Sequence, residues 1–439
     1  MIKTYLTLLM CFLITSVTCA QKIDTQKLDL YFKSLEESGK FMGSVAVSQN
    51  GKIIYTKTIG FSDIESKTRA TEHSKYRIGS ISKTFTSVLV LKVVEEKKLD
   101  LNQTIGKFFP GIKNANKITV KHLLSHRSGI HNFTDDEGYL SWLAQAKTEK
   151  EMVEIIANGG SDFEPDSKAE YSNSNFVLLS YILEKTVNKP YAEILKKYIV
   201  DPIGLTDTYL GGKIDTKNNE VKSYHFSGSW LPETETDISI PLGAGGIVST
   251  SKDLTKFSDA LFEGKLLKKE SLELMKTLKD GFGIGLFQSP FYDKIAYGHT
   301  GGIDGFSSVF LYFADGKVSF ALVSNGSNYN NNNISLAVLS AVYNKPYDIP
   351  VFSSYEVNPE ELDQYAGVYS SSEIPVKVTV LKDGKILTAQ ASGQASFPLE
   401  ASAKDIFVFD QAGVVMEFNP LEKTMILKQG GGQFLFKKD

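Results

Sequence analysis

A chain of 439 residues has room for two or three domains at roughly 150 residues each. Its make-up, 42% hydrophobic and 23% charged, is that of an ordinary soluble globular protein. A formal charge of −3 argues against a nucleic acid or an anionic membrane as partner.

The N-terminus has the layout of a signal peptide. Lys3 precedes an apolar run from Leu6 to Val17, followed by Thr18-Cys19-Ala20. The run is short for a membrane span, which needs about 20 apolar residues. Cleavage is expected after Ala20, giving a secreted or periplasmic protein with no transmembrane span in the mature chain. The alternative is a lipoprotein anchored at Cys19. Both cysteines, Cys11 and Cys19, fall in this leader, so residues 21–439 carry no disulfide, cysteine-based metal site or cysteine nucleophile.

Residues 24–39 read as a helix with Leu28, Tyr31, Phe32 and Leu35 on one side. Phe41 to Val47 and Lys52 to Ile59 read as strands joined at Asn50-Gly51, a strong hairpin signal. Arg77-Ile78-Gly79-Ser80-Ile81-Ser82-Lys83-Thr84-Phe85 follows, and a helical pattern starts there: Phe85, Val88, Leu89, Val93 and Val94 recur at helical spacing. A helix beginning at Ser80 puts the hydroxyl at the positive dipole end and Lys83 on the same face. A serine hydroxyl needs a partner to take its proton, and a partly desolvated lysine can serve.

Val120 to Ser125 reads as a short helix, and residues 148–157 as another, stopped by Gly159-Gly160. Tyr171-Ser172-Asn173 stands before an apolar helix from Phe176 to Val187. Pro202-Ile203-Gly204-Leu205 is a turn, and the glycine-rich residues 242–250 lead into a helix over 252–262. Ile295 to His299, Phe306 to Phe313 and Lys317 to Val323 read as strands, the last two joined at Asp315-Gly316; a helix is expected over 333–343. Strands at both ends with helices between predict an antiparallel sheet flanked by helices, with a helical insertion. His299-Thr300-Gly301 ends one strand, and Gly301-Gly302 lets a substrate lie against its edge. A histidine here has an ordinary pKa near ~6.5, so anionic substrates are expected to bind better as pH falls through it.

A proline-bearing linker over 346–361 separates residues 21–345 from a domain over 362–439. The latter has short alternating segments and reads as a small all-β barrel or sandwich.

A second Ser-x-x-Lys, Ser249-Thr250-Ser251-Lys252, is expected only to cap the following helix through Ser249 or Ser251. His122 and His126 are expected to be structural. His73, His131 and His225 show no metal spacing, and no cofactor or metal is implied.

Ser80-x-x-Lys83, Tyr171-x-Asn173 and His299-Thr300-Gly301 occur in the order and rough spacing of the penicillin-recognising serine hydrolases. With Tyr in the second motif and His in the third, the chain resembles the class C β-lactamase-like family, which includes penicillin-binding proteins, D-alanyl-D-alanine carboxypeptidases, D-aminopeptidases and esterases. The stretches His122-Leu123-Leu124-Ser125-His126-Arg127-Ser128-Gly129 and Gly245-Gly246-Ile247-Val248-Ser249-Thr250 agree with it. The resemblance covers about residues 25–345, and the later segment resembles the lipocalin-like barrels appended to many relatives.

The resemblance implies a fold of the β-lactamase/transpeptidase type and a serine hydrolase. Ser80 is then the acylated nucleophile, and Lys83 and Tyr171 share the proton work, a Lys83 cation favouring the Tyr171 phenolate. Asn173 bonds substrate or Lys83, and the backbone N–H groups of Ser80 and Gly302 form the oxyanion hole. His299, Thr300 and Gly301 meet the substrate. An amide or ester is cleaved: a D-amino-acid peptide, a cell-wall fragment, a β-lactam or a small ester. The alternative is a non-catalytic protein that binds peptide or cell-wall material. The C-terminal domain is a candidate docking module.

Overall fold

The protein is described by a computed structural model over residues 23–352, 355–429 and 432–439. The expected leader and both cysteines lie outside the described residues.

The main sheet has six antiparallel strands. Their order is Phe287–Phe291, Lys294–Ile303, Phe306–Phe313, Val318–Ser327, Phe41–Gln49 and Lys52–Ile59. The N-terminal hairpin turns through Asn50 (φ 52°) and Gly51 (φ 71°), the paired left-handed conformations of a tight hairpin turn. It joins the sheet by pairing Val45 with Leu322. The central strands are buried on both faces. Val45, Val47, Phe320 and Leu322 pack under the helices Thr25–Glu37 and Asn331–Val342. Phe310, Ala321 and Val323 face the helical insertion.

The helix Ser82–Glu95 runs through the middle of that insertion. Eleven of its fourteen residues are buried, as expected of a helix surrounded by core on all sides. Phe85 stacks on Phe257 of the helix Ser251–Phe262.

Where the chain departs from the sequence expectation, local chemistry explains it. The α-helix starts at Ser82, not Ser80. Gly79–Ile81 form one 3₁₀ turn because Gly79 takes φ +50° after the short strand Tyr76–Arg77. The edge strand Phe287–Phe291 carries Pro290, which only an edge tolerates and which hides the strand from a pattern search. The helix at 251 is capped by Thr250, whose Oγ1 accepts from the Asp253 N–H at 3.1 Å, and not by Ser249 or Ser251. Ser251 instead bonds Ser44 at 2.8 Å.

The C-terminal unit is a closed eight-stranded barrel, sealed where Gly367–Ser370 pairs with Gly432–Lys438. Tyr365, Tyr369, Phe407, Met416, Phe418, Met425 and Phe436 belong to its core. Gly367, Pro398 and Gly432 interrupt the alternation that marks a strand in three of its strands. The barrel is tied to the sheet by Lys40, which lies 2.7 Å from Glu400 and 3.0 Å from Asp410. Ser34 on the first helix holds the connecting segment through Pro350 O at 2.6 Å.

Candidate active site

The site is built where the turn Gly79–Ile81 meets the strand Lys294–Ile303. That strand is paired by its outer neighbour only as far as Gly298, so its edge is open from His299 on. The turn fills the space closely. A Cβ on Gly301 would lie 2.0 Å from Ile78 O, and one on Gly79 would lie 2.7 Å from Gly302 N. Both positions therefore demand glycine. Ser308 Oγ donates to Ile78 O at 2.8 Å and fixes the approach. Ser80 and Gly302 are thus set side by side on the wall of one cavity.

Lys83 lies one turn into the helix and is fully buried. Its Nζ is 2.9 Å from Ser80 Oγ, 2.8 Å from Asn173 Oδ1 and 2.7 Å from Ala244 O. Burial holds its amine well below the ordinary lysine pKa. A neutral amine has two N–H donors and one lone pair. In that form Asn173 Oδ1 and Ala244 O, which can only accept, would take both N–H groups and leave the lone pair for the Ser80 hydroxyl, whereas an ammonium would donate to all three. Asn173 is oriented for this by its Nδ2 on Thr134 Oγ1, at 3.0 Å, and its backbone N–H on Asn132 Oδ1, at 2.9 Å.

Tyr171 is brought to the same place, with its ring 4.9 Å from Lys83 Nζ. Burial pushes its phenol up to about 12, against a hydrogen bond to Ser80 that lowers it. Burial thus works against a phenolate at Tyr171 and against a cation at Lys83.

His126 has a structural role, and it plays it beside the site. Its ring stacks on Tyr171 with centroids 4.5 Å apart, and its Nδ1 accepts the Ser172 N–H at 3.1 Å. Burial holds it well below the usual histidine range, so it stays a neutral acceptor. The one sequence signal was a second histidine four residues after His122. His122 itself serves the capping box of the helix Val120–Leu124.

His299 is only 4% exposed and packs against the Phe287 ring at 4.7 Å. It is not among the residues that line the cavity. Its Nδ1 lies 2.5 Å from Thr300 O, which can only accept, so Nδ1 carries the proton. Burial lowers its pKa to about 3 despite that bond. The expectation of a titration near neutral pH, with tighter anion binding below it, is corrected: His299 is neutral across the working range. Thr300 is exposed beyond it and Gly301 half-buried against the turn.

The cavity encloses about 570 Å³. Ser80, Asn173, Ala244, Gly245 and Gly302 line one part of it, with Phe133, Tyr139, Leu140 and Leu143 supplying apolar surface. Glu233 and Asp304 add carboxylates. Among the described residues no group of His, Cys, Asp or Glu is arranged to hold a metal ion.

The sequence reading missed Arg77. Its guanidinium, 2% exposed, donates to Thr236 O at 2.7 Å, Asp304 Oδ2 at 3.0 Å, Gly212 O at 2.9 Å and Glu235 Oε1 at 2.6 Å. Asp304 also accepts from Thr236 N–H and Oγ1. One cation thus pins the loop at 233–236 and the strand end after Gly302 to the turn that carries Ser80. Arg77→Met is expected to cost about 3–5 kcal/mol of stability, since it leaves a buried carboxylate without its cation. A lower urea midpoint, partly restored by adding Asp304→Asn, is the expected result.

The Beta-lactamase family model matches residues 29–345. Penicillin-binding protein 4* of Bacillus subtilis is 25% identical over 92% of this chain and 97% of its own length. Teichoic acid D-alanine hydrolase of Staphylococcus aureus is 26% identical over 74% of this chain and 79% of its own. The structure of D-amino acid amidase from Ochrobactrum anthropi SV3 in complex with L-phenylalanine amide superposes with a TM-score of 0.63. It is 26% identical over 73% of this chain and 99% of its own.

Proposed function

The chain belongs to the beta-lactamase family and is a serine hydrolase of that fold, and from that premise we propose that it cleaves an amide or ester through an acyl-enzyme on Ser80. Lys83 Nζ accepts the Ser80 proton as Oγ bonds to the substrate carbonyl carbon. The N–H groups of Ser80 and Gly302 hold the oxyanion. Tyr171, still carrying its proton, gives it to the leaving group and is reloaded from Lys83 as the scissile bond breaks. Water then attacks the acyl-serine by the reverse route, and Ser80 regains its proton. The observation that carries this reading is the placement of the buried Lys83 amine, 2.9 Å from Ser80 Oγ and held there by Asn173 Oδ1 and Ala244 O.

The names of two relatives, a teichoic acid D-alanine hydrolase and a D-amino acid amidase, favour a D-aminoacyl ester or amide as substrate. Cell-wall fragments, β-lactams and small esters complete the panel. The test is release of p-nitrophenol from p-nitrophenyl acetate by the wild type beside Ser80→Ala. Turnover that disappears in the variant is expected. Equal turnover in both, or none in either across the panel, would overturn the proposal.

A further inference from the structure

We propose that Glu233 receives a cationic amino group of the substrate, so that this cavity selects amine-bearing acyl donors over anionic ones. The inference rests on the serine hydrolase reading above and names the charge class of its substrate. Among the described residues that line the cavity there is no lysine, arginine or histidine, so nothing there pairs with a substrate carboxylate. Lys83 is wholly buried behind Ser80, with both Asn173 Oδ1 and Ala244 O on its amine.

The two carboxylates of the cavity are not equivalent. Asp304 has both oxygens engaged, one by Arg77 and the other by Thr236. Glu233 has one oxygen, Oε1, 2.9 Å from His225 Nδ1. Its Oε2 has no protein donor among the described residues. The Glu233 backbone is fixed by its N–H, which donates to Ser223 O at 3.0 Å, and its side chain is positioned by His225. A half-covered carboxylate with one free oxygen draws an ammonium and repels an anion. Thr234 and Thr236, on the same wall, offer hydroxyls for the remaining N–H groups.

The experiment compares hydrolysis of D-alanine methyl ester and N-acetyl-D-alanine methyl ester at pH 7, with p-nitrophenyl acetate as an uncharged reporter. The wild type is expected to prefer the free amine at least about tenfold in kcat/KM. Glu233→Gln is expected to raise KM for the free-amine ester about tenfold, while turnover of the acetylated ester and the reporter changes less than about twofold. Preference for the acetylated ester, or an unchanged ratio in Glu233→Gln, would overturn the inference while leaving Ser80 chemistry intact. Loss of Ser80-dependent turnover on all three substrates would instead bring down the hydrolase reading, and the inference with it. A Glu233→Gln protein inactive on the reporter as well would show that Glu233 supports the fold and not the amine.

Discussion

Lys83→Met is expected to abolish acylation as completely as Ser80→Ala, each lowering kcat/KM by about 10⁴-fold or more, with the double variant no worse than either alone. Groups that act as one unit show this non-additivity, because removing either leaves the other without a task. The geometry makes them one unit. The lysine amine is 2.9 Å from the serine oxygen and is held there by Asn173 Oδ1 and Ala244 O. Methionine is unbranched and one atom shorter, and it leaves Asn173 Oδ1 and Ala244 O without their lysine donor. A stability loss of about 1–3 kcal/mol per acceptor is expected beside the catalytic one, so folding is checked by circular dichroism. Tyr171→Phe is expected to cost less, about 10²-fold, since its phenol enters as a proton donor and not as the base. The pH profile follows with the same sign. Lys83 has a depressed pKa and works as the neutral amine, so kcat/KM falls as pH drops through that pKa and is flat above it, until Tyr171 ionises near 12. A Tyr171→Phe variant more damaged than Lys83→Met would move the base to the tyrosine.

Gly79→Ala is expected to lower kcat by about 10²–10³-fold with little change in KM, the size of effect seen when one oxyanion donor is lost. No side chain of the proposed catalytic group is itself replaced. The added Cβ would sit 2.7 Å from Gly302 N and 2.8 Å from its C and O, in a residue held at φ +50°. Backbone on both sides must move apart, which carries the Gly302 N–H away from Ser80. Kinetics of p-nitrophenyl acetate hydrolysis and a thermal melt of the same sample separate the two consequences. Full activity at unchanged stability would mean that the turn and the strand do not hold each other.

The sheet and its helices were legible because their patterns are local. Asn50-Gly51 marks a hairpin, and Leu28, Tyr31, Phe32 and Leu35 form one helical stripe that is buried in the fold. The reacting side chains were legible as motifs, and the structure brings Asn173 to Lys83 across 90 positions of sequence. Ser249-Thr250-Ser251-Lys252 was rightly set aside: Lys252 pairs with Glu72 at the surface, far from any such arrangement. What stayed hidden depends on burial and on partners distant in the chain. Nothing near Arg77 announces Asp304 or Thr236. His126 earns its place only by stacking on Tyr171, a residue 45 positions away. The lowered pKa values of Lys83 and His299 and the raised one of Tyr171 follow from the exclusion of water, which residue types alone do not report. Strands interrupted by proline or glycine, such as Phe287–Phe291 with its Pro290, carry weak patterns and are held by their neighbours in the sheet.

The most direct measurement of the central claim is the mass of the acylated peptide. The protein is mixed with p-nitrophenyl acetate, quenched in acid within the first turnovers, digested, and searched for an added acetyl group. The account predicts the label on the peptide bearing Ser80, removed on longer incubation and absent from Ser80→Ala and Lys83→Met. A label on another residue, or one of equal yield in Ser80→Ala, would contradict it.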